Sequence, residues 1–157
     1  MNDHYGHNVW EGLLDDRGGG VRRRVQRRKD GHKLGATVWE LDPGSQGIGY
    51  HFHHGTEELL IVLRGSPTLR AIDGEFQLHE GEVVHFPPGV EGSHRVSNPT
   101  NEIVRYVVVA ANVSPDIVEY PDEGTFIAVA KTNSQYGQPF RVDDKLDDPG
   151  YERGFAE

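Results

Sequence analysis

Residues 51–65 read HFHHGTEELLIVLRG. On an extended strand successive side chains leave opposite faces, so His51 and His53 point the same way and two imidazoles can share one ion. Tyr50, Phe52 and His54 then point the other way. A Gly-Thr turn follows, and Glu58 opens the next strand, Leu59–Leu63. A carboxylate there completes a two-histidine, one-carboxylate set, a recurrent arrangement for divalent metals that leaves coordination positions open. Glu57 faces away from such a site unless a one-residue bulge exchanges it with Glu58. Glu58, Leu60 and Val62 share one face of their strand, and Leu59, Ile61 and Leu63 share the other. That second face is also apolar, so other elements, the N-terminal segment or a second subunit must cover it.

Working outward, the surroundings are short strands divided by turns. GATVWELDPG, residues 35–44, is a strand ended by Pro-Gly, and Asp73-Gly74 marks a hairpin. IVRYVVVAANV, residues 103–113, is a β-branched run of the kind buried on both faces of a sheet. No long stretch has helical periodicity. The pattern is that of an all-β sandwich or barrel. His94, preceded by the turn-forming stretch PPGVEGS, supplies a fourth candidate ligand. Imidazole and carboxylate suit iron, manganese, zinc, nickel or copper, and ligand type does not choose among them.

Two segments resemble the paired motifs of the cupin superfamily. HFHHGTEELLIVLRG matches the first, G-x5-H-x-H-x(3,4)-E-x6-G, at His51, His53, Glu58 and Gly65. GEVVHFPPGVEGSHRVSN matches the second, G-x5-P-x-G-x2-H-x3-N, at Gly81, Pro87, Gly89, His94 and Asn98. Fifteen residues lie between Gly65 and Gly81, the short spacing of compact bacterial cupins. There are two departures. Four residues rather than two separate Gly89 from His94, and Ser45 stands where the first motif's leading glycine belongs, with Gly44 and Gly47 beside it. The resemblance spans residues 33–113. It implies a double-stranded β-helix (jelly roll) with one divalent transition-metal ion, Fe, Mn, Zn or Ni, on His51, His53, Glu58 and His94. It also implies a homodimer.

The remainder of the chain sets bounds. Of 157 residues, 16 are basic and 25 acidic, and the net charge of −9 argues against nucleic acid as the main partner. Cysteine is absent, which excludes thiolate ligands and fits a reducing compartment. No stretch has the run of apolar residues that a signal-peptide core or membrane span requires, so a cytoplasmic protein with no membrane partner is expected. Residues 1–20 read as an N-terminal arm docking through Trp10, residues 21–130 as the barrel domain, and residues 131–157 as a polar, acidic C-terminal tail. VRRRVQRRK, residues 21–29, has no interleaved aromatic and reads as a solvated strand pairing with the acidic tail or a partner subunit.

Few other residues carry chemistry. Arg105 and Tyr106 lie on opposite faces of one strand, and whichever faces inward lines the pocket. An inward Arg105 favours a carboxylate or phosphate substrate, and an inward Tyr106 offers a weak acid. His85 shares parity with Val83 and reads as outward, while Val84 and Phe86 form the core pair. His54 and His79 read as bystanders, Asn98 as a turn support before Pro99, and Trp10 and Trp39 as packing residues. Two functions are open: an enzyme acting on a small organic molecule (an oxygenase, a sugar isomerase or epimerase, or a decarboxylase), or a non-catalytic module that binds or senses a small ligand through the same metal.

Overall fold

The computed structural model describes residues 8–25, 33–130 and 140–145. Among the described residues the regular secondary structure is almost wholly strand. In chain order these are β1 (Asp15–Asp16), β2 (Val21–Val25), β3 (Leu34–Leu41), β4 (Phe52–His53), β5 (Glu58–Arg64), β6 (Thr68–Ala71) and β7 (Gly74–Gln77). They are followed by β8 (Val83–Phe86), β9 (His94–Ser97), β10 (Val104–Ala111), β11 (Asp116–Tyr120), β12 (Thr125–Ala130) and β13 (Phe140–Lys145). A single 3₁₀ turn, Val90–Gly92, precedes β9. Among the described residues no helix is long and apolar enough to cross a membrane.

One antiparallel sheet has the order β1-β2-β3-β10-β5-β8. Opposite it lie a sheet β13-β12-β11-β4 and a sheet β7-β6-β9. A backbone bridge between His51 and His94 joins these two, so the second layer is nearly continuous. This is the jelly roll that the motifs imply.

The β-branched run forms β10, the central strand, paired with β3 on one side and β5 on the other. Inward-facing Leu41, Leu60, Val62, Val104 and Tyr106 build the core with Leu69, Leu78, Phe86 and Val96 from the other elements. Parity on β5 holds as read: Leu60 and Val62 are buried while Leu59 is 40% exposed. Of the apolar outer face, Leu34 and Val83 are also exposed within the single chain. Tyr50 and Phe52 point away from the metal-ligand face, yet both are buried against neighbouring elements rather than solvated.

Two terminal readings change. Asp15–Asp16, within the stretch read as an arm, adds an edge strand by pairing with β2. Residues 140–145, within the stretch read as polar tail, form β13 and pair with β12 along its full length. Charged and polar residues can make an edge strand because a ladder needs only backbone N–H and C=O groups. Trp10 docks the arm by lying under the Arg105 guanidinium, 5.7 Å from ring centroid to Cζ.

The displaced motif glycine has a structural counterpart at Gly47. Its φ is +68°, and a Cβ built there would lie 1.9 Å from the Val96 carbonyl oxygen. Gly44 also has positive φ, +77°, but nothing lies within 4 Å of its Cβ position. Gly47→Ala is therefore expected to cost about 3 kcal/mol or more, and Gly44→Ala about 1 kcal/mol. Urea unfolding at constant m-value measures both; equal losses would contradict the close approach.

Candidate metal centre

Residues 51–53 divide their pairing between two neighbours. The His51 N–H and C=O exchange hydrogen bonds with the backbone of His94, at 3.0 and 2.9 Å, while Phe52 and His53 pair with β11. This places a motif-one histidine directly beside the motif-two histidine, their ring centroids 4.6 Å apart. Across the barrel, Glu58 sits in register with Ala110 of β10 and Phe86 of β8, its side chain directed inward. One potential ligand atom from each of His51, His53 and Glu58 lies within 4.8 Å of the others. His53 Nε2 is 3.8 Å and His94 Nε2 3.7 Å from the same Glu58 oxygen.

The other ring nitrogen of every histidine is engaged. Nδ1 of His51 lies 2.9 Å from the Gly49 carbonyl oxygen, and Nδ1 of His94 lies 2.8 Å from that of Gly92. A carbonyl can only accept, so both Nδ1 atoms carry the proton and both Nε2 atoms offer a lone pair. His53 Nδ1 donates to Asp116 Oδ2 at 2.7 Å. Asp116 also accepts from the Thr56 hydroxyl at 2.6 Å and the Gly55 N–H at 2.9 Å. Phe86 stacks on His94 at 3.7 Å between centroids, 5° from parallel, and fixes that ring further.

Electrostatics agree with this arrangement. Burial pushes His51 down to about 4, with like charge on His53 adding to the effect. Burial, then His51 beside it, pushes His94 down to about 3. Both rings are therefore neutral at physiological pH. Burial raises Asp116, but the hydrogen bonds from His53, Thr56 and Gly55 outweigh it and hold the carboxyl at about 2. Neutral imidazole nitrogens, a carboxylate and an outer carboxylate on a ligand histidine are the donor set a divalent transition metal takes, and the residues fit such an ion.

A cavity of about 400 Å³ surrounds these groups. The four sequence-derived ligands all line it, together with Tyr106 and Tyr120. Tyr106, not Arg105, is the inward residue of its strand. It is buried, stacks on Trp39 at 6.3 Å, and burial together with Glu58 raises its pKa far above the usual tyrosine value. Arg105 lies on the outer face, where it binds Glu40 and donates to the Val9 carbonyl at 2.9 Å. The reading of Arg105 as a pocket residue is thus replaced by a structural role. Trp39 packs in the core and also forms part of the cavity wall.

The bystander histidines stand apart from the cavity lining. His54 pairs with Glu119 at 3.0 Å and His85 with Glu57 at 2.6 Å on the exterior, and His79 is exposed. Asn98 is fully buried and ties its turn together, donating to Leu41 and Glu102 carbonyls and accepting from Thr100.

Three participants were not legible as site residues. Asp116 lies 63 residues from His53 with no local motif. Tyr120 stacks against His51 at 5.6 Å from the end of β11. Arg23 belongs to the run read as solvated, yet it lines the cavity. Its signal was available in the parity of Val21, Arg23 and Val25. Arg22, on the opposite face, pairs with Glu40 of β3 and with Asp42 just beyond its end.

Comparison with known proteins places the barrel. The family model for the Cupin domain matches residues 37–110. No curated protein matches the chain. Among solved structures, one described as a sugar phosphate isomerase from a cupin superfamily, from Silicibacter pomeroyi, superposes with a TM-score of 0.67 at 22% identity, covering 82% of this chain and 78% of that one. A putative sugar phosphate isomerase from Acidithiobacillus ferrooxidans gives 0.63 at 28% identity, covering 79% and 78%. An RmlC-like cupin from Shewanella frigidimarina gives 0.57 at 21% identity, covering 69% and 91%. The family match over residues 37–110, the paired motifs and the strand topology agree that the barrel is a cupin domain.

Proposed function

We propose that the barrel holds one divalent transition-metal ion on His51, His53, Glu58 and His94, and that it isomerises or epimerises a small sugar-like hydroxycarbonyl compound. The observation that carries this reading is the meeting, in one cavity, of neutral nitrogen and carboxylate donors with a tyrosine that stays protonated. The description of the Acidithiobacillus structure, 28% identical over most of both chains, supports the substrate class.

When bound, the ion supplies Lewis-acid polarisation of a substrate oxygen. The protein's own groups bind and orient the substrate, and the proton removed beside the carbonyl passes to solvent. Tyr106, held in its neutral form, donates a hydrogen bond to a substrate oxygen and keeps its proton near neutral pH. Asp116 fixes the His53 ring so that Nε2 faces the cavity. Trp39, Ile48, Val96 and Val108 line the walls with apolar surface, which limits water and strengthens the polar contacts inside.

Two measurements test the reading. Elemental analysis of untagged protein should give about one transition-metal ion per chain, and less than about 0.1 after soaking with several divalent ions would sink it. Metal-loaded protein incubated in D₂O with five- and six-carbon aldoses, ketoses and their phosphates should introduce deuterium beside the carbonyl. Stoichiometric metal with no exchange on any of them would replace catalysis with ligand binding alone.

A further inference from the structure

We infer that Arg17 and Arg23 form an anion subsite in the metal cavity, built to take the phosphate group of a phosphorylated substrate. The inference deepens the proposed function and rests on it for the end of the ligand that meets the metal.

Both arginines line the same cavity as the metal donors. Their origins differ. Arg17 follows β1 in the tight turn to β2, where its N–H donates to the Val21 carbonyl at 2.8 Å. Arg23 is on β2 itself, opposite Trp39 of β3, and the row continues through Tyr106 of β10 to Val62 of β5. Its guanidinium lies over the Trp39 ring at 5.4 Å. A stacked guanidinium keeps its fork of donors free at the edges, and that fork suits phosphate or carboxylate.

The other arginines nearby are all engaged. Arg22 binds Glu40 and Asp42, Arg24 donates to the Glu11 and Asn8 carbonyls, and Arg105 binds Glu40. Among the described residues, Arg17 and Arg23 make no ion pair with a carboxylate. Asp15, opposite Arg23 in the β1–β2 register, offsets part of their charge. The two cations also repel each other: burial, then Arg17, lowers the Arg23 pKa. Two like charges held on one cavity wall are relieved by an anion.

Charge and shape favour phosphate over carboxylate. A phosphate monoester carries about −1.5 to −2 charge near neutral pH and three acceptor oxygens, enough for two guanidinium forks. A carboxylate offers two oxygens and satisfies one fork. Separation adds a constraint on the rest of the molecule. Three strand spacings of about 4.8 Å each divide β2 from β5, the strand bearing Glu58. An anion held by Arg23 is therefore set several bonds away from the atoms at the metal. That geometry fits a phosphate at the far end of a short carbon chain.

The test uses the full chain, metal-free and metal-loaded, with inorganic phosphate and acetate as probes in calorimetric titration. Metal-free protein should bind phosphate at least tenfold more tightly than acetate. Arg17→Gln and Arg23→Gln should each weaken phosphate about tenfold, and the double variant about 100-fold, as loss of charge-assisted hydrogen bonds requires. Arg17 is exposed in a turn, so Arg17→Gln reports even if Arg23→Gln fails to fold. Phosphate affinity in the double variant within twofold of the parent would overturn the subsite. So would acetate binding as tightly as phosphate. Metal content is read on the same samples. Arginine-dependent phosphate binding without metal uptake would refute the metal reading alone, whereas normal metal uptake with arginine-independent phosphate binding would refute the subsite alone.

Discussion

Replacing His51 with alanine is expected to lower divalent-metal affinity by more than about 100-fold, a larger loss than removal of an outer-sphere partner produces. The expectation follows from how the ligand is held. His51 is bridged to His94 through two backbone hydrogen bonds, its Nδ1 is committed to Gly49, and its ring is pressed between Tyr120 and His94. Its Nε2 therefore has one orientation available. His94→Ala should behave alike, since its Nε2 approaches the same Glu58 oxygen as His53 does. Asp116→Asn should cost about 10–100-fold, because it perturbs the partner of His53 and leaves the first sphere complete. Chelator competition followed by elemental analysis measures all three. An affinity for His51→Ala within threefold of the parent would remove it from the ligand set.

How much of this could be read without coordinates depends on distance along the chain. Strand parity acts over two residues, so it assigned Glu58, Leu60 and Val62 inward, His85 outward, and Val84 with Phe86 toward the core. Parity cannot decide between Arg105 and Tyr106, because each satisfies the alternation on one face. A register shift between these two residues against β5 adds to the difficulty. Asp116 is invisible for a different reason. Its partners, Gly55, Thr56 and His53, come from the first motif, and only the closing of β11 against β4 brings them together. Gly47 shows the converse, since a positive φ and a close backbone approach demand glycine where the motif is displaced. Arg23 was concealed by composition: a run of arginines reads as one solvated surface, although a strand divides it between two faces.

The metal-free protein is expected to lose several kcal/mol of stability as pH falls from neutrality toward 4. His51 titrates at about 4 and His94 at about 3 in the folded state, against 6.5 for the unfolded residue. Between these values the unfolded chain carries protons that the folded chain refuses, so stability rises with pH throughout the window. The contribution is complete above 6.5 and is lost as pH drops toward 4 and then 3. For each refused proton, stability falls by about 1.4 kcal/mol per pH unit. At pH 5 the two histidines together therefore remove roughly 4 kcal/mol, somewhat less where their mutual repulsion is counted twice. Asp116 extends the loss further into acid, since its folded value of about 2 lies below the ordinary 3.8 and its stabilisation fades as pH falls through that interval. Against a typical total of about 5–15 kcal/mol, this is enough to bring unfolding within reach of mild acid. Urea midpoints of metal-free protein between pH 7 and 4.5 should decline steadily, and His94→Gln should flatten the decline by removing one of the two titrating groups. Saturation with metal should shift the whole curve to lower pH, because the ion binds the folded state and competes with protons for the same nitrogens. A midpoint that stays constant from pH 7 to pH 5 would show that the two buried imidazoles are not held neutral in the metal-free fold.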